Sequence, residues 1–194
     1  MTKQEVRDNI RYNENLVNQY LNTLNGLRKK VDDRNSQINQ YNAQISQLRS
    51  QAKKLKSQIN ELNQLKSKYQ KLQNDFASRQ AKRVNVFNLN FSKKINLGFI
   101  LSYINGMRSL LSGNEYKRAY NGLSSAISTI SSEIKAIQRD IDNLNKSVHS
   151  KEKKIDSLRR DINSYQSQIS KTNSNLSYRR QRITYWKNQL RYAT

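Results

Sequence analysis

The fold is decided by residues 24–62, which read LNGLRKKVDDRNSQINQYNAQISQLRSQAKKLKSQINEL. Apolar residues recur there every seven positions in two registers, and the pattern extends from about residue 10 to residue 76. The first register holds Ile10, Val17, Leu24, Val31, Ile38, Ile45, Ala52 and Ile59, and the second holds Tyr20, Leu27, Tyr41, Leu48, Leu55, Leu62, Tyr69 and Phe76. A 3.5-residue period sustained over many heptads predicts a helix that winds around a partner helix in a left-handed coiled coil.

A second heptad stripe occupies the C-terminal part of the chain. Its first register holds Tyr120, Ile127, Ile134, Ile141, Val148, Ile155, Ile162, Ile169, Leu176, Ile183 and Leu190. Its second register holds Leu123, Ile130, Ile137, Leu144, Leu158, Tyr165 and Trp186. The polar exceptions in the stripe are Lys151, Thr172 and Arg179. Both stripes would make helices of about 100 Å at 1.5 Å per residue. Arms of nearly equal length predict an all-α, elongated antiparallel helical hairpin, with residues 1–76 as the first coiled-coil arm and 116–194 as the second.

The hairpin implies a register between the arms. If the chain turns between Phe76 and Tyr116, residue i lies opposite about residue 192 − i, which brings Ile38 near Lys154. The first 33 residues carry five acidic residues, whereas residues 162–194 carry none. We therefore expect the acid-containing start of the chain to lie against its basic end. A parallel dimer of one extended rod is the alternative architecture, and the composition of the middle segment disfavours it.

The middle segment, residues 77–115, is an apolar connection between the arms. Residues 95–111 are the most hydrophobic part of the chain, but they contain Arg108 and are shorter than the roughly 20 apolar residues of a membrane span. We expect a short apolar helix at the tip of the hairpin. It either closes the end of the coiled coil or presents a patch that touches a partner or a membrane.

The composition excludes most catalytic chemistry. The 194 residues contain no Cys and no Pro, and only 35% of them are hydrophobic, against roughly 45–50% in a typical globular domain. Without Cys there is no disulfide, thiolate nucleophile or zinc-thiolate site, and the single His, His149, supplies neither a pair of metal ligands nor a catalytic triad. We therefore expect no enzyme activity, no cofactor and no metal. His149 is expected to be an exposed helix residue.

The N-terminal residues give an expectation about localisation. Their charges are not followed by an apolar run, so no secretory signal peptide is predicted. We expect a cytoplasmic protein, or one that is secreted without a cleavable signal peptide.

A strong positive charge is spread along the whole chain. There are 36 Lys and Arg against 14 Asp and Glu, a formal charge of +22, divided as +12 in residues 1–97 and +10 in residues 98–194. Such a chain is able to bind nucleic acid or an anionic membrane as a basic scaffold, because each neutralised phosphate releases counterions. Two acid-free stretches, residues 76–114 and 162–194, are candidates for contact with an acidic partner. The candidate basic surface residues are Arg179, Arg180, Arg182, Lys187 and Arg191.

Apolar residues outside the two heptad registers favour a protein partner. A two-helix seam buries one narrow stripe of each helix, whereas a broader apolar face is typical of assemblies of three or four helices. The residues that broaden the stripe are Leu16, Leu21, Leu65, Leu72 and Ala126. We expect a helical partner, in a homo-oligomer or a hetero-oligomer.

The order of segments resembles a known family. Residues 110–120 read LLSGNEYKRAY and lie between the apolar middle and the Ile-rich second arm. The arrangement is similar to that of small helical proteins encoded beside LXG-type toxins in Gram-positive bacteria, which are relatives of the WXG-type substrates of type VII secretion. In that superfamily the turn of a helical hairpin carries Trp-x-Gly, and an aromatic residue follows on the second helix. Leu111-Ser112-Gly113 stands here in place of Trp-x-Gly, and Tyr116 or Tyr120 in place of the aromatic residue.

The resemblance implies a function and a set of residues. The protein would be a non-enzymatic accessory factor or chaperone that binds the helical N-terminal domain of an LXG-type toxin and presents it for secretion. Two departures from the family pattern are that Leu111 replaces the signature Trp and that no Tyr-x-x-x-Asp/Glu export signal follows either arm. The implied turn and partner-binding residues are Leu110, Leu111, Gly113, Tyr116 and Tyr120.

Overall fold

Two long helices make up almost all of the described structure. The computed structural model describes residues 2–91, 102–103, 105–106 and 113–192. Helix α1 spans Lys3–Phe91 and helix α2 spans Asn114–Gln189, and no strand occurs within the described ranges. The two helices pack against each other as an all-α helical hairpin, which confirms the predicted fold class. The pairing is within one chain, so the alternative of a parallel dimer is not needed to cover the seam.

The start of α1 is fixed by a capping box. The Thr2 hydroxyl accepts a hydrogen bond from the backbone N–H of Glu5 at 3.2 Å, and the Glu5 carboxylate accepts one from the Thr2 N–H at 2.8 Å. These reciprocal bonds satisfy donors that the first helical turn leaves without an intrahelical partner. At the start of α2, the Gly113 carbonyl accepts from the Lys117 N–H at 3.3 Å.

The last turn of α2 tightens as the helix ends. The N–H of Arg191 donates to the carbonyl of Asn188 at 3.2 Å, and that of Tyr192 to the carbonyl of Gln189 at 3.0 Å. These bonds span three residues instead of four, which is a common way of satisfying the last carbonyls of a helix.

The hairpin divides into two compact units, each made from one segment of α1 and one segment of α2. Unit 1 consists of Met1–Leu48 and Lys146–Thr194, and unit 2 consists of Arg49–Asn145. Because both helices contribute to both units, this division differs in kind from the predicted division into two arms and a connection.

The core of unit 1 follows the predicted heptads. Its buried apolar side chains are Val6, Leu24, Leu27, Ile45, Ile155, Ile162 and Leu176. Each fully buried Val, Leu or Ile contributes roughly 1.5–3 kcal/mol through removal of apolar surface from water. The stripe also reaches further upstream than the sequence indicated, because Val6 and Asn13 continue the register of Tyr20 and are 0% and 3% exposed.

The core of unit 2 is thinner and partly polar. Ala52, Ile137 and Ile141 are its buried apolar residues. Closer to the turn, the Gln73 side-chain amide donates to the Ser124 hydroxyl at 2.5 Å. The Phe76 ring stacks on the Tyr116 ring with centroids 5.0 Å apart.

Contacts between the helices confirm the predicted register. In unit 1 the contacting pairs include Asn13 with Arg179, Arg34 with Asp161, Tyr41 with Lys154 and Gln44 with Lys151. In unit 2 they include Gln73 with Ser124 and Phe76 with Tyr116. Residue i therefore lies opposite residue 192 − i to 197 − i in these pairs, close to the predicted 192 − i.

The helix boundaries near the turn differ from the limits of the heptad pattern. Helix α1 continues to Phe91, well beyond the end of the heptads at Phe76, because residues 77–91 contain neither Pro nor Gly to end it. Of the predicted tip helix, the described residues Ser102, Tyr103, Asn105 and Gly106 are helical. Within the described ranges, neither helix contains a segment long and apolar enough to cross a bilayer.

Candidate partner-binding surfaces

Unit 2 contains an open groove with an apolar floor and two carboxylates at its rim. Its volume is about 360 Å³, and it is lined by Gln58, Glu61, Leu62, Leu65, Glu133 and Ile137. Leu62 and Ile137 belong to the predicted seam, so the groove lies along the line where α1 and α2 meet. Two carboxylates and no cation line it, although basic residues outnumber acidic ones by 36 to 14 in the chain. The groove is therefore a local exception to the charge of the protein.

Two leucines extend this apolar surface along α1. Leu65 is 41% exposed and Leu72, seven residues further on, is 56% exposed. Residues seven apart lie on the same face of a helix, so the two side chains point out of the hairpin in the same direction. The other residues predicted to broaden the apolar stripe lie in less exposed positions: Leu21 is 36% exposed, and Leu16 and Ala126 are half-buried. The broad apolar face is most developed in unit 2.

Of the turn and partner-binding residues implied by the family resemblance, three are described by the structure, at the start of α2. Leu110 and Leu111 lie outside the described residues. Gly113 directly precedes α2, where its carbonyl accepts the first helical hydrogen bond. Tyr116 stacks on Phe76 of α1, and its ring centroid is 6.0 Å from that of Tyr120. Both tyrosines are half-buried, so their described contacts pack α2 onto α1.

Arg179 belongs to the seam of unit 1 and not to an open basic surface. Its Nη1 donates to the Oδ1 of the buried Asn13 at 3.3 Å, and its Nε is buried without a hydrogen-bond partner among the described residues. The guanidinium carbon also lies 5.3 Å from the Tyr178 ring centroid and 5.8 Å from that of Tyr12. A half-buried arginine in an apolar stripe is thus surrounded by one amide and two aromatic rings.

The remaining basic candidates lie at the surface of the same unit. Lys187 forms an ion pair with Glu14 at 3.5 Å, which confirms that the basic end of α2 lies against the acid-containing start of α1. Arg182 is half-buried, and its guanidinium carbon is 5.1 Å from the ring centroids of both Tyr185 and Trp186. Arg180 and Arg191 are exposed.

His149 and the acidic residues are the side chains that could bind a metal ion or transfer a proton at neutral pH. No group of three or more His, Cys, Asp or Glu side chains that could hold a metal ion occurs in that part of the chain. The His149 side chain is 67% exposed, which confirms the prediction for this residue, and its Nδ1 lies 3.9 Å from a carboxylate oxygen of Glu152.

Sequence reasoning missed the carboxylates of the groove. Glu61 and Glu133 are distant in sequence and carry no motif, so neither stands out on its own. The predicted register could have indicated their proximity, since it places residue 61 opposite about residue 131, close to Glu133. Reading the charges of opposed residues in pairs would have found the acidic rim.

Comparisons with known proteins add no relative. No protein-family model matches the chain, and neither the curated proteins nor the solved structures contain a match to it.

Proposed function

We propose that this protein is a non-enzymatic binding protein that pairs with an amphipathic helix of another protein through the groove of unit 2. The observation that carries the proposal is the apolar groove itself, with Leu65 exposed at its edge and Glu61 and Glu133 at its rim. A helix that lies in a groove does so through apolar side chains three, four and seven positions apart. Leu65 and Leu72 are seven positions apart on α1, so they would pack against apolar side chains of the partner helix that repeat at the same interval.

The charges of the groove specify the chemistry of the partner. Two carboxylates beside an apolar floor favour a helix whose apolar stripe is flanked by Lys or Arg, since complementary charges guide encounter and fix register. A helix with acidic flanks would meet like charges there. The family resemblance makes the helical N-terminal domain of an LXG-type toxin the first partner to test, and the protein would then act as an accessory or targeting factor in type VII secretion.

Co-purification with a co-expressed toxin domain tests the apolar part of the groove. Leu65→Glu/Leu72→Glu should abolish capture of the domain on an affinity resin, because a charge would be buried in the interface. Leu21→Glu is the matched control for Leu65→Glu alone, because each places one charge on an exposed leucine, and it should leave capture intact. Equal capture by both variants, at unchanged helix content, would exclude this groove as the binding site.

Charge reversal tests the rim independently. Glu61→Lys/Glu133→Lys should reduce the affinity for the same domain at least tenfold, whereas Asp32→Lys/Asp33→Lys changes net charge equally on an exposed part of unit 1. Isothermal titration of each purified variant with the domain measures the difference. If both charge-reversed proteins bind alike, only net charge matters and the rim has no role.

A further inference from the structure

The C-terminal part of α2 and the turn that follows it carry three exposed tyrosines. Tyr178, Tyr185 and Tyr192 follow one another at seven-residue intervals and are 52%, 46% and 82% exposed. Tyr178 and Tyr185 lie within α2, where seven residues correspond to about 10 Å along the axis and return to nearly the same side, and Tyr192 lies in the turn after Gln189. Tyr12 of α1, 57% exposed, adds a fourth ring within reach of Arg179. These four rings are called the tyrosine face, and all of them belong to unit 1.

Arginines are already stacked on the rings of this face. Arg179 lies over Tyr178 and Tyr12, and Arg182 lies over Tyr185 at 5.1 Å from its centroid. Arg179 is engaged with Asn13 in the seam, so Arg182 is the ring-contacting arginine with more freedom to bind an anion, and contact with a ring reduces the side-chain freedom that binding would cost. The face thus combines flat stacking surfaces with ordered cations.

The charge around the tyrosine face is of one sign along α2. Residues 162–194 hold six Lys and Arg and no Asp or Glu. The opposed start of α1, residues 2–14, holds three basic and three acidic residues, and one of those acids, Glu14, is paired with Lys187. The surface therefore remains cationic after both helices are counted, which favours a polyanion.

We propose that the tyrosine face binds single-stranded nucleic acid. Proteins that bind single strands without sequence preference combine a cationic track for the backbone with aromatic rings on which bases stack, and this face supplies both. A duplex hides the faces of its bases and would use only the charge. A membrane-surface helix would bury a continuous apolar face, whereas the residues three and four positions after Tyr178 and Tyr185 are all polar: Gln181, Arg182, Asn188 and Gln189. The proposal concerns unit 1 alone and does not depend on the groove of unit 2.

The lone tryptophan provides a built-in reporter. Trp186 is the single Trp of the chain, and its ring lies 5.0 Å from the Tyr185 ring. Titration of the full-length protein with labelled oligo-dT or oligo-rU of about 20 nucleotides should raise the anisotropy of the label and quench the Trp186 emission together. Binding should be tighter than to a duplex of equal length, and should weaken steeply as salt rises. Equal or tighter binding to the duplex, or binding to anionic vesicles without binding to either oligonucleotide, would overturn the proposal.

Variants separate stacking from charge. Tyr178→Ala/Tyr185→Ala/Tyr192→Ala should lower the affinity for oligo-dT by roughly a hundredfold, whereas the corresponding Phe triple variant should retain it, since stacking requires the ring and not the hydroxyl. Because the three side chains are largely exposed, the helix content should be unchanged. Equal affinity of the Ala and Phe variants would overturn stacking on these rings.

Two variants that remove equal charge test the location of the nucleic-acid-binding site. Arg180→Gln/Arg182→Gln/Arg191→Gln and Lys53→Gln/Lys54→Gln/Lys56→Gln each remove three positive charges, the first set near the tyrosine face and the second from exposed positions in unit 2. The arginine variant should lose at least tenfold more affinity for oligo-dT than the lysine variant. Equal losses would show that the nucleic acid binds diffusely to a basic surface and would overturn a site at this face.

Discussion

Asn13 and Arg179 form a polar contact inside the apolar stripe of unit 1. The Asn13 amide is 3% exposed, donates to the Asn9 carbonyl at 2.7 Å and accepts from Arg179 at 3.3 Å. Burial of this amide is tolerated because its oxygen and one of its two N–H groups are hydrogen-bonded. The Asn13 oxygen accepts from the Arg179 Nη1, whereas the Arg179 Nε is buried without a hydrogen-bond partner among the described residues.

Removing the amide should therefore destabilise the protein. Asn13→Ala is expected to lower the free energy of unfolding by about 1–3 kcal/mol, since it leaves the guanidinium with one partner fewer and opens a small cavity. Urea unfolding followed by circular dichroism measures the change. Asn15→Ala, on the exposed side of the same helix, should change stability by no more than about 0.5 kcal/mol, and equal effects of the two substitutions would contradict the role given to Asn13.

At the scale of the helices, the heptad pattern accounts for which side chains meet. Leu24, Ile45, Ile141 and Ile155 all occupy predicted seam positions and are all buried. Helix propensity contributes less than packing to such long helices, but it is measurable where a residue is exposed and makes no contact. Gly26 and Gly122 are such positions, because a Cβ added at either would meet no atom within 4 Å apart from its chain neighbours and the backbone of its own helix.

Alanine should stabilise α1 at its interior glycine. Gly26→Ala is expected to raise the free energy of unfolding by about 0.5–1 kcal/mol by reducing the conformational entropy of the unfolded chain. Thermal and urea unfolding should both show the gain, and Gly122→Ala should give a similar one in α2. The reverse change at an exposed alanine, Ala43→Gly, should lower stability by a comparable amount. A loss of stability in Gly26→Ala would mean that the position needs glycine.

Introduced cysteines test the register directly, because the chain has none of its own. The Lys151 ammonium donates to the Gln44 side-chain carbonyl at 2.6 Å, so Gln44→Cys/Lys151→Cys should react rapidly with a thiol cross-linker about 10 Å long, the separation of packed helices. The altered mobility on a denaturing gel reports the link. Gln44→Cys/Leu158→Cys, shifted by one heptad, should react more slowly, and similar rates for both pairs would contradict the observed register.

At the scale of the whole molecule, repulsion between positive charges opposes folding. Both helices are basic, and two ion pairs between them, Arg34 with Asp161 and Lys187 with Glu14, lie in partly exposed positions. Arg34 Nε is 3.3 Å from the Asp161 carboxylate but is not aligned for a hydrogen bond, so this contact is a charge pair only. Such surface pairs contribute about 0–1 kcal/mol each, too little to balance a formal charge of +22.

Salt should consequently stabilise the protein. Raising NaCl from low to physiological concentration and beyond is expected to increase the melting temperature, because screening weakens repulsion between like charges more than it weakens a few exposed pairs. Scanning calorimetry measures the trend. Lys53→Gln/Lys54→Gln/Lys56→Gln should melt higher than the natural chain at low salt and respond less to NaCl. A melting temperature that falls with added NaCl would show that attractive pairs dominate.

The sequence predicted the pairing of the helices better than the surfaces they expose. Heptads, the absence of Pro and the nearly equal arms were sufficient for the hairpin and for its register. Asn13 was missed because a polar residue interrupts an apolar pattern, although a partner on the opposite helix satisfies it. The groove was missed for a different reason. Glu61 and Glu133 lie on different helices and line one groove only because the two helices pack together. The apolar pattern of each helix, taken separately, does not bring them together.

The contact between Asn13 and Arg179 also bears on how one helix could slide along the other. A seven-residue repeat looks nearly the same after a shift of seven residues, so leucines and isoleucines alone would fit several positions almost equally well. After such a shift Arg179 would face Val6 or Tyr20 instead of Asn13, and its guanidinium would lose the amide partner at a cost of about 1–3 kcal/mol. The amide thus favours the observed alignment over alignments shifted by one heptad, together with the other polar contacts between the helices.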